Sequence, residues 1–163
     1  MILIQGANYM DKLEKRPKRW SLEEVRAYLA QHDIRMSFYR LKIFEYLINE
    51  RTHPTADEIY EVIKKEIPAV SQATVYNTLK LFLEKKIVQL VNVEKNEARY
   101  DATLSWHGHL KCLACGRVFD IHIESLKLGS LEGFEIYEKH LNLRGLCPEC
   151  LKIKRYRKEG KNG

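Results

Sequence analysis

The stretch "WHGHLKCLACG", residues 106–116, sets two histidines and two cysteines within nine positions. Neutral imidazole and thiolate are both good metal ligands. All four cysteines of the chain fall in two C-x-x-C pairs, Cys112/Cys115 and Cys147/Cys150, with 31 residues between the pairs. Two such knuckles can close a tetrahedral four-cysteine site around Zn2+, with Zn–S near ~2.3 Å. "CLACG" and "CPEC" supply Gly116 and Pro148 for the turns. A redox dithiol would explain each pair separately, whereas one tetrahedron explains all four thiols at once. In a reducing compartment paired C-x-x-C units favour metal over disulfide. Structural zinc contributes on the order of 10 kcal/mol to the folding of small domains, so this part of the chain is expected to need the ion to hold its shape.

If the sulfurs satisfy one ion, His107 and His109 belong to another. On a strand, residues two apart point to the same face, roughly 6.5–7 Å apart along the chain, a spacing suited to clamping one ion. Asp101 at the end of the expected wing, Asp120 after the first knuckle and His53 in "THPTADE" are further ligand types that could join such a site. Three imidazoles with two carboxylates make a mixed nitrogen and oxygen set that suits Fe2+ or Mn2+ better than a structural zinc. Spacing alone does not decide whether His53, a histidine before proline, is a ligand or an ordinary loop residue.

The elements that must position these groups are legible in part. "SLEE" offers Ser21 and Glu24 as a capping box for a helix of roughly ten residues, and "TADE" offers Thr55 and Glu58 for another. Between them a helix is expected from near Ser37, with Leu41, Phe44 and Ile48 on one face. Ala56, Ile59, Tyr60 and Ile63 make the next apolar stripe, which Pro68 ends. A fourth helix begins at Ser71, with Val75, Leu79 and Phe82 inward and Ala73, Asn77 and Lys80 opposite, Tyr76 at the edge. The period then changes. "IVQLVNV" and "ARYDA", separated by "EKNE", read as a β-hairpin. Helices followed by such a ribbon give a winged helix-turn-helix pattern; a helical bundle with an appended hairpin is the alternative. Beyond residue 105, "GRVFDIHI" and "FEIYEKHLNL" read as strands and "ESLKLGSLEG" as room for a short helix, a second, α/β domain. The basic tail, "LKIKRYRKEGKNG", reads as a solvated helix end.

The bulk composition fits this picture. The 163 residues are 45% hydrophobic, enough for a packed core, and Lys and Arg exceed Asp and Glu by 28 − 22 = 6. That excess is compatible with a polyanionic partner. "MILIQGANYM" has no basic region before its short apolar run, so it is not read as a signal peptide, and no stretch approaches the ~20 apolar residues of a membrane span. A soluble cytoplasmic protein is expected, starting at Met1 or Met10.

Taken together and in order, "HPTADEIY", "SQATVYNTL", "ARYD", "HGHLKCLACG" followed by Asp120, and "CPEC" resemble the ferric uptake regulator (Fur) family of dimeric metal-dependent repressors, over roughly residues 21–152. The resemblance implies an α+β architecture: a winged helix-turn-helix DNA-binding domain, residues 1–100, followed by a hinge and an α/β dimerisation domain with a four-cysteine zinc site, residues 101–163. It implies structural Zn2+ on the four cysteines and regulatory Fe2+ or Mn2+ on His53, Asp101, His107, His109 and Asp120. Iron-uptake members tend to carry glutamates where this chain has Asp101 and Asp120, whereas the peroxide-sensing (PerR-type) branch carries aspartates. A further site of many iron-uptake members falls here on Trp106 and Gly108, which are not normal ligands. No cysteine is spare for the hinge ligand of zinc-uptake sensors.

The resemblance therefore implies a homodimeric repressor of a double-stranded DNA operator, not an enzyme. Its signal would be hydrogen peroxide, read through iron-catalysed oxidation of a ligating histidine, His53 or His107; no other small-molecule substrate is implied. An iron- or manganese-uptake regulator sensing occupancy is the alternative. Tyr76 and Asn77, beside Ala73, are expected at bases, and Arg40, Lys80 and Lys95 near phosphate, although Tyr76 could instead pack against its own domain. One departure bears on operator contact rather than fold: the family's second helix commonly opens Thr-Pro-Gln-Arg, and "SFYR" keeps Arg40 but has Phe38 and Tyr39 in place of the middle pair. Two rivals from other classes are a metallohydrolase or oxygenase, which would need an open coordination position and a cleft, and a dithiol oxidoreductase.

Overall fold

The computed structural model describes residues 18–94 and 97–159. The two starts, Met1 and Met10, and Lys95 lie outside the described residues.

Four helices begin where a hydroxyl can cap them. Helix α1 (Leu22–Gln31) starts at Ser21, whose side chain accepts from the Glu24 backbone while the Glu24 carboxylate accepts from the Ser21 backbone at 2.7 Å. Helix α2 (Phe38–Glu50) is capped by Ser37, α3 (Ala56–Glu66) by Thr55 with Glu58 closing the same reciprocal pair, and α4 (Gln72–Glu84) by Ser71. Each cap satisfies orphan backbone donors from side chains a few residues away.

The apolar stripes of the four helices meet in one core. Val25 and Leu29 of α1, Ile43, Phe44 and Leu47 of α2, Ile59 and Ile63 of α3 and Val75, Leu79 and Phe82 of α4 are all buried in it. Phe44 and Phe82 meet edge to face with ring centroids 5.6 Å apart, and Tyr39 packs against the same cluster. Phe82 is fully enclosed, so Phe82→Ala leaves a cavity the helices cannot close. The expected loss is about 3–5 kcal/mol, visible as a lower urea midpoint with an unchanged slope.

Strands β1 (Gln89–Glu94) and β2 (Glu97–Asp101) form the antiparallel hairpin, with Gln89 opposite Asp101 and the register interrupted between Val91 and Glu94. A three-stranded sheet follows. Its centre is β3 (Gly108–Cys112), flanked by antiparallel β4 (Val118–Ile121) and parallel β5 (Asn142–Gly145). A Cβ on Gly108 would lie 3.1 Å from the Leu141 side chain and 3.2 Å from its carbonyl oxygen, so any larger residue there would require Leu141 to give way by a few tenths of an ångström. Helix α5 (Pro148–Glu159) follows, with Pro148 at its first position. The whole is an α+β fold, helices first and a small mixed sheet after them.

Two expectations need correction. "ESLKLGSLEG" holds no helix, and of "FEIYEKHLNL" only the last two residues join a strand, β5. The reason is packing: residues 124–140 are all exposed in the single chain. Among the described residues neither a sheet edge nor a helix face lies against Phe134 and Ile136 to reward the extended conformation their alternation favours.

Candidate metal centre

Among the described residues two clusters of ligand-type side chains come together, each with ligand atoms all within 4.8 Å of one another.

The first is Cys112, Cys115, Cys147 and Cys150. Cys112 ends β3, the tight turn after it is closed by Gly116 N donating to Cys112 O at 2.9 Å, and Gly116 adopts φ +74°. Cys147 immediately precedes α5, and its backbone N–H donates to Cys112 Sγ at 3.3 Å. That bond, with others from the first knuckle, lowers the Cys112 thiol to about 6. The Cys147 sulfur beside it, followed by burial, pushes Cys150 up to about 12. Thiolates packed this closely repel one another and stay ionised together only around a cation, which makes the donor set fit Zn2+. Arg117 adds a donor to Cys115 Sγ at 3.5 Å and pairs with Glu149, tying the two knuckles together.

The second cluster is His53, His107, His109 and Asp120. It is assembled from distant parts of the chain. His109 and Asp120 face each other across the β3–β4 register. His53 comes from the loop between α2 and α3, and it is 1% exposed. His107 lies just before β3 rather than on it, so the same-face strand argument does not apply to the pair. Its loop curls back until His107 Nε2 is 3.0 Å from His109 Nε2, with His107 Nδ1 against the Ser105 carbonyl oxygen at 2.6 Å. Asp101 stands at the rim, its Oδ2 3.2 Å from His107 Nε2 and 3.9 Å from His109 Nε2.

Electrostatics bind this group tightly. Asp101 and Asp120 raise the His107 imidazole to about 10 against its burial. Burial works to raise Asp101, but bonds from His107, His109, Gln89 and the Thr103 backbone outweigh it and hold the carboxyl well below the usual range. Burial is likewise outweighed at Asp120, where His107 and His53 keep the carboxyl at about 2. His53 Nε2 is 2.7 Å from Asp120 Oδ1, yet the contact lacks hydrogen-bond geometry. Both ring nitrogens of His53 and Asp120 Oδ1 are thus buried polar atoms without a hydrogen-bond partner. Such orphans are costly, and a cation coordinated by the nitrogen and the oxygen removes the cost. Imidazole and carboxylate donors in this proportion fit Fe2+ or Mn2+.

Three residues that support the cluster are not ligand types. Gln89 Nε2 donates to Asp101 Oδ2 at 2.9 Å and to the Thr103 carbonyl at 2.7 Å, Thr103 N donates to Asp101 Oδ1 at 2.7 Å, and Arg99 donates to the His53 carbonyl at 2.9 Å. The only signal in the sequence was position, since Gln89 and Asp101 are the two ends of the hairpin.

In the helical half, Ala73, Tyr76, Asn77 and Lys80 form an exposed face of α4. Tyr76 is 47% exposed and its hydroxyl donates to Asp57 at 3.3 Å. Arg40 donates to the Arg35 carbonyl at 2.5 Å, bracing the link between α1 and α2, and Phe38 is exposed beside it.

Residues 31–155 match the model of the ferric uptake regulator family. The chain belongs to that family. The match takes in α2 to α4, the hairpin and the sheet, and the relatives are named as regulators and repressors rather than enzymes. The peroxide operon regulator of Bacillus subtilis (strain 168) is 35% identical over 136 residues, covering 80% of this chain and 94% of that protein. The peroxide-responsive repressor PerR of Staphylococcus aureus (strain Mu50) is 34% identical over 134 residues, covering 79% and 90%. Among solved structures, the Vibrio cholerae ferric uptake regulator superposes with a TM-score of 0.60 at 26% identity, over 75% of this chain and 98% of that one. No helix among the described residues is long and apolar enough to cross a membrane.

Proposed function

We propose that this family member is a homodimeric, DNA-binding repressor whose hold on its operator depends on Fe2+ or Mn2+ at the second cluster and is released by hydrogen peroxide. The observation that carries the reading is the convergence of His53, from the helical half, with His107, His109 and Asp120, from the sheet, inside 4.8 Å. A cation on these side chains, with Asp101 alongside, fixes the angle between a DNA-binding domain (residues 1–100) and a hinge and dimerisation domain (residues 101–163). In a two-fold dimer that angle sets the separation of two α4 helices, which must match the spacing of operator half-sites. The metal binds this arrangement preferentially and so shifts the population towards it. Ala73, Tyr76 and Asn77, exposed on α4, are our candidates for base edges, and Arg40, Lys80 and, outside the described residues, Lys95 for phosphates, with Tyr76 leaving Asp57 to reach the groove.

Zn2+ on the four cysteines serves the sheet. Fe2+ supplies one property Mn2+ lacks, the reduction of peroxide at the site. The aspartates at 101 and 120 and the peroxide regulators of Bacillus subtilis and Staphylococcus aureus among the relatives support the peroxide reading over one in which metal level alone is sensed.

The test is selection of a duplex from random DNA with Mn2+-loaded protein, followed by titration of that duplex by fluorescence anisotropy. Mn2+ is expected to tighten binding by about 5–150-fold, the range of ordinary allosteric coupling, and His53→Ala to abolish the tightening while leaving zinc bound. Equal affinity with and without Mn2+ would sink the reading.

A further inference from the structure

His53 is an awkward residue to hold still. It is buried, it precedes Pro54, and its backbone is left-handed, with φ +52°, a conformation only a few per cent of residues other than glycine adopt. Nothing in its own loop explains why the ring faces the cluster. The explanation lies on β2. Arg99 Nη1 donates to the His53 carbonyl oxygen at 2.9 Å, and the neighbouring Tyr100 N donates to the Pro54 carbonyl oxygen at 2.9 Å. Thr55 and Arg99 form an isolated bridge, so the loop is stitched to the wing at three successive residues.

The Arg99 guanidinium is itself fixed. Its side chain is 11% exposed, and it lies 3.3 Å from Glu58 Oε2, the oxygen that also accepts from Thr55 N at the start of α3. On its other side it makes two contacts to Glu97 Oε2, at 2.9 and 2.8 Å. Lys111 Nζ reaches the same Glu97 oxygen at 3.9 Å from β3, the strand that carries His109 and Cys112. A planar fork that joins a carbonyl and two carboxylates is a task for arginine, which a point-charge ammonium cannot reproduce.

We propose that Arg99 is a positioning residue of the second cluster: it holds His53 in the left-handed conformation that turns its ring toward His107, His109 and Asp120, and through Glu97 and Lys111 it sets that loop against β3 whether or not a metal is bound. The inference rests on the proposed role of His53 as a ligand. Partners that orient a ligand in this way are typically worth 10–100-fold in metal affinity.

The experiment is a double-mutant cycle on the zinc-containing protein, with Mn2+ as the probe and its Kd read by titration calorimetry. Arg99→Gln is expected to weaken Mn2+ binding by about 10–100-fold, and Arg99→Lys, which keeps the charge, to lie between it and the parent. In a His53→Ala background Arg99→Gln is expected to cost nothing further, because the ligand it positions is gone. A merely destabilising substitution would be additive there. A readout needing no metal goes with it: amide exchange at Thr52, His53 and Thr55 is expected to speed up in Arg99→Gln and Arg99→Lys without Mn2+, while exchange in α1 and α4 stays the same. Full additivity with His53→Ala, or unchanged Mn2+ affinity in both Arg99 variants, would overturn the proposal alone. A His53→Ala protein that binds Mn2+ as tightly as its parent would overturn the metal reading and this inference with it.

Discussion

Protein loaded anaerobically with Fe2+ and then exposed to hydrogen peroxide is expected to gain one oxygen atom on the peptide carrying His53 or the peptide carrying His107, and the Mn2+-loaded protein is expected to gain none. The argument rests on what surrounds the site. His53 and His109 rings meet edge-on with centroids 4.9 Å apart, and His107 and His109 with centroids 4.6 Å apart, so imidazole carbon is the oxidisable matter next to any metal held there. In net terms the peroxide gives one oxygen to the C–H between the two ring nitrogens and leaves the other as water. The altered ring has lost a lone pair or its basicity at the ligating nitrogen, and the site loses a donor.

If the ring is His53, the lost donor is the one contributed by the helical half, and the tie between α2–α3 and β3–β4 is cut. The expected readout is release from the selected duplex, with loss of the full Mn2+- or Fe2+-dependent tightening. Met36, 36% exposed, is an internal control, since free peroxide oxidises an exposed thioether with either metal. Iron-dependent histidine oxidation without Met36 selectivity therefore marks site chemistry. Absence of histidine oxidation with Fe2+ confirmed bound would sink the peroxide reading and leave a regulator that senses metal occupancy.

Sequence legibility followed the range of the interactions involved. Ser21, Ser37, Thr55 and Ser71 cap helices through bonds to residues three positions away, and the stripe of Val75, Leu79 and Phe82 is set by helical period alone, so both were readable without tertiary information. The four sulfurs were readable because two knuckles of one motif have few ways to share an ion. The geometry of the second cluster was harder. His107 and His109 were paired by a strand argument, whereas the convergence is made by a loop that precedes the strand. Gln89 has no ligand chemistry; it matters because the hairpin register sets it opposite Asp101, and a register interrupted between Val91 and Glu94 cannot be counted from the turn. Arg99, within "ARYD", has no ligand chemistry either; its role depends on the backbone of His53, 46 residues away. The absence of helix and of all but the start of β5 from 124–143 has the same origin. Alternating apolar residues state a preference for strand, but the preference is realised only where a partner surface covers one side.

Removing zinc, or replacing Cys112 with serine, is expected to unfold the sheet while the helical half stays folded. The helical core contains two phenylalanines and more than a dozen aliphatic side chains. Beyond Ala102, the buried hydrophobic residues among those described are Cys112, Val118 and Cys147, two of which are themselves proposed zinc ligands. Three short strands with that little apolar burial are marginal without a staple, and structural zinc supplies on the order of 10 kcal/mol in such sites, comparable with the whole stability of an ordinary domain. Hydrogen exchange checks the claim residue by residue. The amides of His109, Cys112 and Leu113, which donate to the carbonyls of Leu141, Arg117 and Gly145, should lose protection in Cys112→Ser or after chelation, while those of α2 and α4 retain it. The Mn2+ site should fail with them, because β3 carries His109 and Cys112 three residues apart and only a folded β3–β4 pair sets His109 opposite Asp120. Protection that survives verified zinc loss would mean that the sheet is held by its own packing. The sulfurs would then be free to serve another purpose, and the order of dependence, zinc before regulatory metal before DNA, would no longer follow.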